Sequence, residues 1–316
     1  MGFVRPNRGG VSLFVAGLMA VVAVRSSAQQ PAFRDPQLFR SGVEITSITA
    51  TVFDKDGVLV KDLPREAFEV YEDGQRQTIT QFTSERVPLG LGVLVDISDS
   101  MFGKRIHDAR LAVDEFLLKL LNPADEFFIL AFNHEPHVLT DWTNTPDVVR
   151  RALDSLHPSG GTAVYDAVTR ALPVLERRSR QRAALLIISD GADTASTATL
   201  REVRSALLKS DAFVYAIAID STEHQAINAR LSAGTLREIT TESGGRTEVV
   251  HDSGEIAGAA ARIAEELNSQ YVLGYTSPRG ADGKYHSIRV RATNGEYRVR
   301  ARNGYVATPV PKKIRP

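Results

Sequence analysis

The rhythm of hydrophobic positions changes twice along this 316-residue chain. Between residues 43 and 83 apolar and polar positions intersperse. Val43, Ile45, Ile48 and Val52 lie among threonines, Val58-Leu59-Val60 returns after Asp56-Gly57, and Phe68 and Val70 precede Asp73-Gly74, with Ile79 and Phe82 beyond. Asp-Gly turns flanked by β-branched residues predict β-hairpins. From 87 to 268 unbroken apolar runs take turns with helical periods. Strands are predicted at 90–97, 126–132, 136–142, 183–189, 212–219 and 246–250. Helices are predicted at 105–121, 146–156, 162–178, 199–209, 233–243 and 254–269. The first helix carries Ile106, Ala109, Val113, Phe116, Leu117 and Leu120 at helical intervals. After 270 strand character resumes with Tyr271-Val272-Leu273-Gly274-Tyr275, a turn at Asp282-Gly283, and strands at 286–293 and 296–302 around Asn294-Gly295, a strong hairpin signal.

Alternating strand and helix predicts an α/β fold: a doubly wound, mostly parallel sheet covered on both faces. The short link from Asn133 to Pro136 makes 136–142 an antiparallel edge strand. The β segments 29–86 and 270–306 are each too small to bury a core. They are expected to pair into one small β-sandwich, with the α/β domain of residues 87–268 inserted between them. Residues 29–41 read as a linker, and 307–316, proline-rich and basic, as a disordered tail.

The chemistry lies at strand ends. Asp96-Ile97-Ser98-Asp99-Ser100 follows the apolar run 90–95, where a parallel strand opens at the carboxyl edge of its sheet and ligands bind. A carboxylate and two hydroxyls at alternate positions are hard oxygen donors, suited to Mg²⁺ or Mn²⁺ and not to Zn²⁺ or copper. Gly160-Gly161-Thr162 brings a further hydroxyl just before a helix, and the run 185–188 ends in Ser189-Asp190-Gly191. Taken singly, Asp96 reads better as a helix N-cap and Ser98 as a turn residue, with no metal.

Together, Asp-x-Ser-x-Ser followed by Met101, Gly-Gly-Thr-Ala-Val-Tyr-Asp-Ala at 160–167 and Ser-Asp-Gly at 189–191 resemble the metal-ion-dependent adhesion site of von Willebrand factor type A domains. The likeness covers residues 87–268. It implies metal ligands at Asp96, Ser98, Ser100, Thr162 and Asp190, with Mg²⁺ (or Mn²⁺ or Ca²⁺) as the cation. It also implies a partner protein whose Asp or Glu carboxylate completes the coordination. Asp99 departs from the family's usual glycine; its carboxylate either strengthens cation binding or points to solvent. The order of β segment, α/β domain and Tyr-x-Leu-Gly-Tyr resembles an uncharacterised group of secreted bacterial type A proteins, and Phe-Glu-Val-Tyr-Glu-Asp-Gly at 68–74 belongs to that likeness.

The N-terminus adds a location. Arg5 and Arg8 precede the apolar stretch 11–24, and Ser26-Ser27-Ala28 follows. This is the order of a secretory signal cleaved after Ala28, so residues 1–28 are expected to be removed and the protein to be secreted or periplasmic, with no membrane span remaining. Cleavage removes three arginines and no acid, leaving 35 basic residues against 38 acidic. A near-neutral chain argues against nucleic acid as partner. The absence of cysteine excludes disulfides, thiolate metal sites and a cysteine nucleophile.

Rival readings are weaker. An Mg²⁺-dependent aspartyl phosphotransferase would use Asp96 as nucleophile, but Ser98 stands where its general acid would be. A serine hydrolase lacks its Gly-x-Ser-x-Gly elbow. His134 and His137 have no third zinc ligand at suitable spacing, and the arginines at 177, 178, 180 and 182 suit a helix C-terminus. The expectation is therefore an exported, non-enzymatic binding or adhesion protein, or alternatively an envelope subunit that a cation merely stabilises.

Overall fold

The computed structural model describes residues 45–117, 122–190, 193–219 and 226–308. The expected signal segment and linker lie outside these residues, as do residues 309–316 of the expected tail. Ala307, expected to begin that tail, is instead buried and exchanges backbone hydrogen bonds with Gly283 and Lys284. Among the described residues no helix is long and apolar enough to cross a membrane.

The centre is a six-stranded sheet of β5 (Leu89–Asp96), β6 (Glu126–Phe132), β7 (Pro136–Val138), β8 (Arg182–Ser189), β9 (Phe213–Ile219) and β10 (Thr247–Val250), in the order β10-β9-β8-β5-β6-β7. All pairings are parallel except β6 with β7, the expected antiparallel edge. Six helices alternate with these strands: α1 (Lys104–Glu115), α2 (Pro146–Asp154), α3 (Val164–Leu175), α4 (Leu200–Lys209), α5 (Ala226–Ser243) and α6 (Ile256–Asn268).

Every residue of β5 and β8 is buried, because helices cover both faces. On β5, Leu89, Leu91, Val93 and Val95 pack with α1, α2 and α6, while Leu94 packs with α3 on the opposite face. Gly92 shares that second face and makes room for a neighbour: a Cβ there would sit 2.4 Å from the Phe128 ring. Trp142 meets Phe128 edge-on at 5.0 Å and donates its indole N–H to the Val174 carbonyl, a packing role.

Some boundaries differ from the sequence reading. The predicted strand 136–142 stops at Val138, because the Ile129 carbonyl accepts from both Leu139 and Thr140 and the chain bulges out of register. Helix α5 begins at Ala226, earlier than expected. The end of the predicted helix 105–121 falls at residues 118–121, outside those described.

The flanking segments form two four-stranded antiparallel sheets that share one core. The first has the order β13-β1-β11-β4, from β13 (Arg298–Ala301), β1 (Ile45–Phe53), β11 (Tyr271–Thr276) and β4 (Gln81–Thr83). The second has the order β14-β12-β2-β3, from β14 (Gly304–Val306), β12 (Tyr285–Ala292), β2 (Phe68–Glu72) and β3 (Gln75–Gln77). Ile48, Val52, Phe68, Val70, Tyr271, Leu273, Ile288 and Val290 fill the space between them, so strands from both ends of the chain build one sandwich. Asp73 and Gly74, both at positive φ, make the tight turn of the β2–β3 hairpin.

The hairpin expected at Asn294-Gly295 is only half formed. β14 pairs with the start of β12, matching Tyr285 to Val306 and Ser287 to Gly304. Nearer the turn, β13 leaves β12 and pairs with β1 in the other sheet. Gly295 is not among the positive-φ glycines, and Tyr297 N–H returns to the Asn294 carbonyl, so the turn lacks the type I′ twist that would keep the strands together.

Candidate functional site

The expected site residues gather at the carboxyl edge of the central sheet, where β5 and β8 run parallel and end side by side. Asp96 closes β5 and has no exposed surface. Its Oδ1 accepts the Ser98 N–H at 2.8 Å and its Oδ2 accepts the Ser189 hydroxyl. Burial pushes this carboxyl up to about 7, the charge of Asp190 pushes the same way, and the hydrogen bonds from Ser189 and Ser98 pull it back.

From Asp96 a chain of oxygens leads outward. Ser98 Oγ lies 3.0 Å from Ser100 Oγ, and Ser100 Oγ donates to Asp190 Oδ1 at 2.6 Å. Thr162, also buried, follows a loop whose residues Ser159 and Gly160 are tied to this edge. Ser159 N–H bonds the Ile97 carbonyl at 2.8 Å, and Asp99 N–H bonds the Gly160 carbonyl at 2.9 Å. Gly160 holds φ at +77°, and a Cβ there would sit 2.7 Å from the His134 ring. Glycine is needed at this position for the loop to approach. Asp99 is exposed.

Two features escaped the sequence reading. The first is Arg105, whose Nη1 donates to Asp190 Oδ2 at 2.8 Å and to the Ser100 carbonyl at 2.7 Å. Cations in the first turn of a helix oppose its dipole, so Lys104-Arg105 at the start of α1 was a signal that carboxylates lie close by. Lys104 meets Asp108 and Asp252. The second is the segment after Asp190. Asp193 Oδ2 accepts the Tyr165 N–H at 2.9 Å, Ser196 Oγ accepts the Asp166 N–H, and the Thr194 and Ala195 N–H groups bond the Thr162 carbonyl. The first turn of α3 is thus capped from another loop. Its own N-cap residue, Ala163, has no side-chain oxygen, so no local pattern announced the cap.

Residues 91–192 match the family model of the von Willebrand factor type A domain. This segment is a type A domain. The complete α/β unit has the same fold, a mostly parallel six-stranded sheet with helices, and the antiparallel sheets flank it. A von Willebrand factor type A structure from Catenulispora acidiphila superposes with a TM-score of 0.51 at 12% identity, covering 85% of this chain and 75% of that one. Proximal thread matrix protein 1 from the mussel byssus gives 0.51 at 14% identity, over 62% of this chain and 51% of its own. The inter-alpha-trypsin inhibitor heavy chain H2 of Mesocricetus auratus is 24% identical over 177 residues, covering 49% of this chain and 18% of that protein. The chain thus spans less than a fifth of this curated relative.

Do the type A residues present fit a divalent cation? The donors are all oxygen, the chemistry Mg²⁺ prefers. At metal–oxygen distances of about 2.1 Å, adjacent donors of an octahedron lie about 3 Å apart. Ser98 and Ser100 stand at 3.0 Å already. Asp190 points one oxygen at Ser100 and gives the other to Arg105, so Oδ1 is the oxygen turned toward the hydroxyls. The donor set fits. The histidine alternative does not: His137 is exposed beside Glu135, and among the described residues no three His, Cys, Asp or Glu side chains cluster for a metal.

Proposed function

We propose that this protein is an exported, non-enzymatic binding protein that docks a carboxylate of a partner protein through a divalent cation at the end of β5. Ser98, Ser100 and Thr162 hold the cation with neutral oxygens, while Asp96 and Asp190 supply charge behind them. The observation that carries the reading is the run of oxygens in which Ser98 and Ser100 stand 3.0 Å apart, the spacing of an octahedral edge, and Ser100 reaches Asp190 at 2.6 Å. A bound cation with so few anionic contacts keeps much of its positive charge and attracts an acidic side chain.

Asp96 is unsuited to attack a phosphoryl group. It is fully buried, and both its oxygens already accept hydrogen bonds. Phe102, 77% exposed two residues beyond Ser100, suits docking instead, since an apolar anchor beside a charged contact is a common interface arrangement.

A second reading has its own observation. Arg105 already neutralises Asp190, so a metal-free cluster that serves only as a structural joint is also chemically balanced. Calorimetric titration of the protein with Mg²⁺ and Mn²⁺, beside Asp96→Ala and Ser100→Ala, separates the two. Saturable binding lost in both variants supports cation-mediated docking. Wild-type protein that takes up neither ion, yet melts at a lower temperature in the variants, would establish the structural joint.

A further inference from the structure

The hairpin that splits near Asn294-Gly295 opens a cavity of about 610 Å³. One wall is Ser287, Ile288, Arg289, Val290 and Arg291 of β12, and the far wall includes Val299, Ala301 and Arg302. Five consecutive residues of a strand line a cavity only when its edge is exposed, because a sheet face presents alternate residues. The pairing agrees. β14 accompanies β12 only from Tyr285 to Ser287, and Ile288 N–H makes one more bond, to the Asn303 carbonyl. From Arg289 to Ala292 that side of β12 pairs with no strand among the described residues, while β2 continues on its other side. β14 ends at Val306 opposite Tyr285, at the far end of β12 from the opening.

The charge around this edge is one-sided. Arg289 and Arg291 are exposed and have no acidic partner among the described residues; Arg291 stacks over the Tyr71 ring at 5.6 Å. Glu69, opposite Arg291 on β2, is taken by Arg76 at 3.1 Å and by the Tyr71 hydroxyl at 2.9 Å. The Arg302 guanidinium is occupied by the carbonyls of Gly304 and Leu208. Natural proteins protect an open strand edge with charge, and two arginines would serve that purpose. They do not account for a preformed cavity along the same edge, with apolar Val299 and Ala301 as its opposite wall.

We propose that the split hairpin is a docking slot for an extended acidic peptide strand. The strand's backbone would pair along residues 288–292, and carboxylates at alternate positions would meet Arg289 and Arg291. Side chains two apart on a strand stand about 7 Å apart on one face, so an acidic–apolar–acidic pattern matches the arginine spacing. Strand addition draws affinity from the main chain and selectivity from alternate side chains. The slot is separate from the cation site and owes nothing to it.

The test is fluorescence anisotropy of a labelled Glu-Val-Glu-Val-Glu-Val peptide with the whole protein, in EDTA and 0.15 M salt. Three comparisons accompany it: Arg289→Gln combined with Arg291→Gln, the same peptide with methylated backbone nitrogens, and an oligogalacturonate as competitor. Saturable binding, weakened at least tenfold by the double substitution and also by backbone methylation, is the expected result. The proposal falls if no saturable binding occurs, or if the methylated peptide binds equally well. It also falls if the oligogalacturonate binds more tightly than the peptide and loses that binding in the double variant, which would give the slot to an anionic glycan.

Discussion

The Tyr215 hydroxyl donates to Glu266 Oε1 at 2.8 Å, and neither residue has any exposed surface. Glu266 on α6 also receives Arg246 Nε at 2.8 Å, Arg300 from β13 and the Thr51 hydroxyl from β1. One buried carboxylate therefore ties the type A domain to both ends of the sandwich. Burial, and then the Glu266 charge, raise the Tyr215 phenol well above its ordinary value, so it remains the donor.

Glu266→Ala should be among the most destabilising single changes. Removing one partner of a buried ion pair costs about 3–5 kcal/mol. Arg246 and Arg300 keep 30% and 28% exposure and regain water, which lowers the expectation to about 2–4 kcal/mol. Thermal unfolding should show a drop of roughly 5–10 °C. Tyr215→Phe, which loses one hydrogen bond, should cost about 1 kcal/mol. Equal effects from the two changes would mean that the arginines are not held by Glu266.

Phe102→Ala separates binding from stability. The ring is mostly in water, so the melting curve should move by less than about 0.5 kcal/mol. Binding to a partner captured in a cation-dependent manner should weaken roughly tenfold, as for a central apolar anchor. Unchanged affinity would place the partner's footprint elsewhere.

His286 gives the sandwich a pH dependence. Its Nδ1 meets Asp73 Oδ2 at 2.8 Å and its Nε2 meets Asp282 Oδ1 at 3.0 Å, with the Tyr305 ring 5.7 Å away and Arg279 on the far side of Asp73. These two hydrogen bonds raise the histidine above its ordinary value; the same bonds, with backbone N–H donors, lower both aspartates. A raised histidine contributes stability that is complete below about pH 6.5 and is lost as pH rises through the folded value. The lowered aspartates contribute above about pH 4 and lose it in stronger acid. Melting temperature in the wild type should therefore decline between pH 6 and pH 8.5 more steeply than in His286→Gln. Parallel slopes would show that the pair does not titrate as described.

Asp193→Ala should uncap α3 from a distance. The lost bonds to Tyr165 N–H and Ser196 should cost about 1–2 kcal/mol, typical of an N-cap. Amide exchange should quicken at Tyr165 and Asp166 while β5 stays protected. Because Thr194 and Ala195 hold the Thr162 carbonyl, cation affinity should fall as well.

Much of the candidate site was legible before folding. Asp96 and Asp190 each end an apolar run, and parallel strands bring such ends to one edge, so their proximity follows from the pattern. Arg105 and Asp193 were less legible, because each acts on a residue far along the chain: Asp190 is 85 positions from Arg105, and Tyr165 is 28 from Asp193. Asp125 belongs with them. It is buried and accepts from Arg86 and from the Leu89 and Asn122 N–H groups, pinning the entry to β5, and Arg86 and Leu89 lie 39 and 36 positions away.

The amino-acid sequence by itself determined the alternation of strand and helix, the antiparallel edge at β7, and the oxygen donors at the ends of β5 and β8. Each of these follows from which faces of a local segment must leave water, a property that hydrophobic spacing records directly. Only the tertiary structure decided how the flanking strands were divided between the two sandwich sheets. Asn294-Gly295 predicted one continuous hairpin, yet β13 joined β1 because the sandwich core draws strands into both of its sheets. Tertiary packing likewise chose the partners of buried charge, such as Arg300 for Glu266 and Arg105 for Asp190. A local preference for a turn is worth about 1 kcal/mol or less, whereas burying a single large apolar side chain is worth about 1.5–3. Where the two disagreed, packing prevailed.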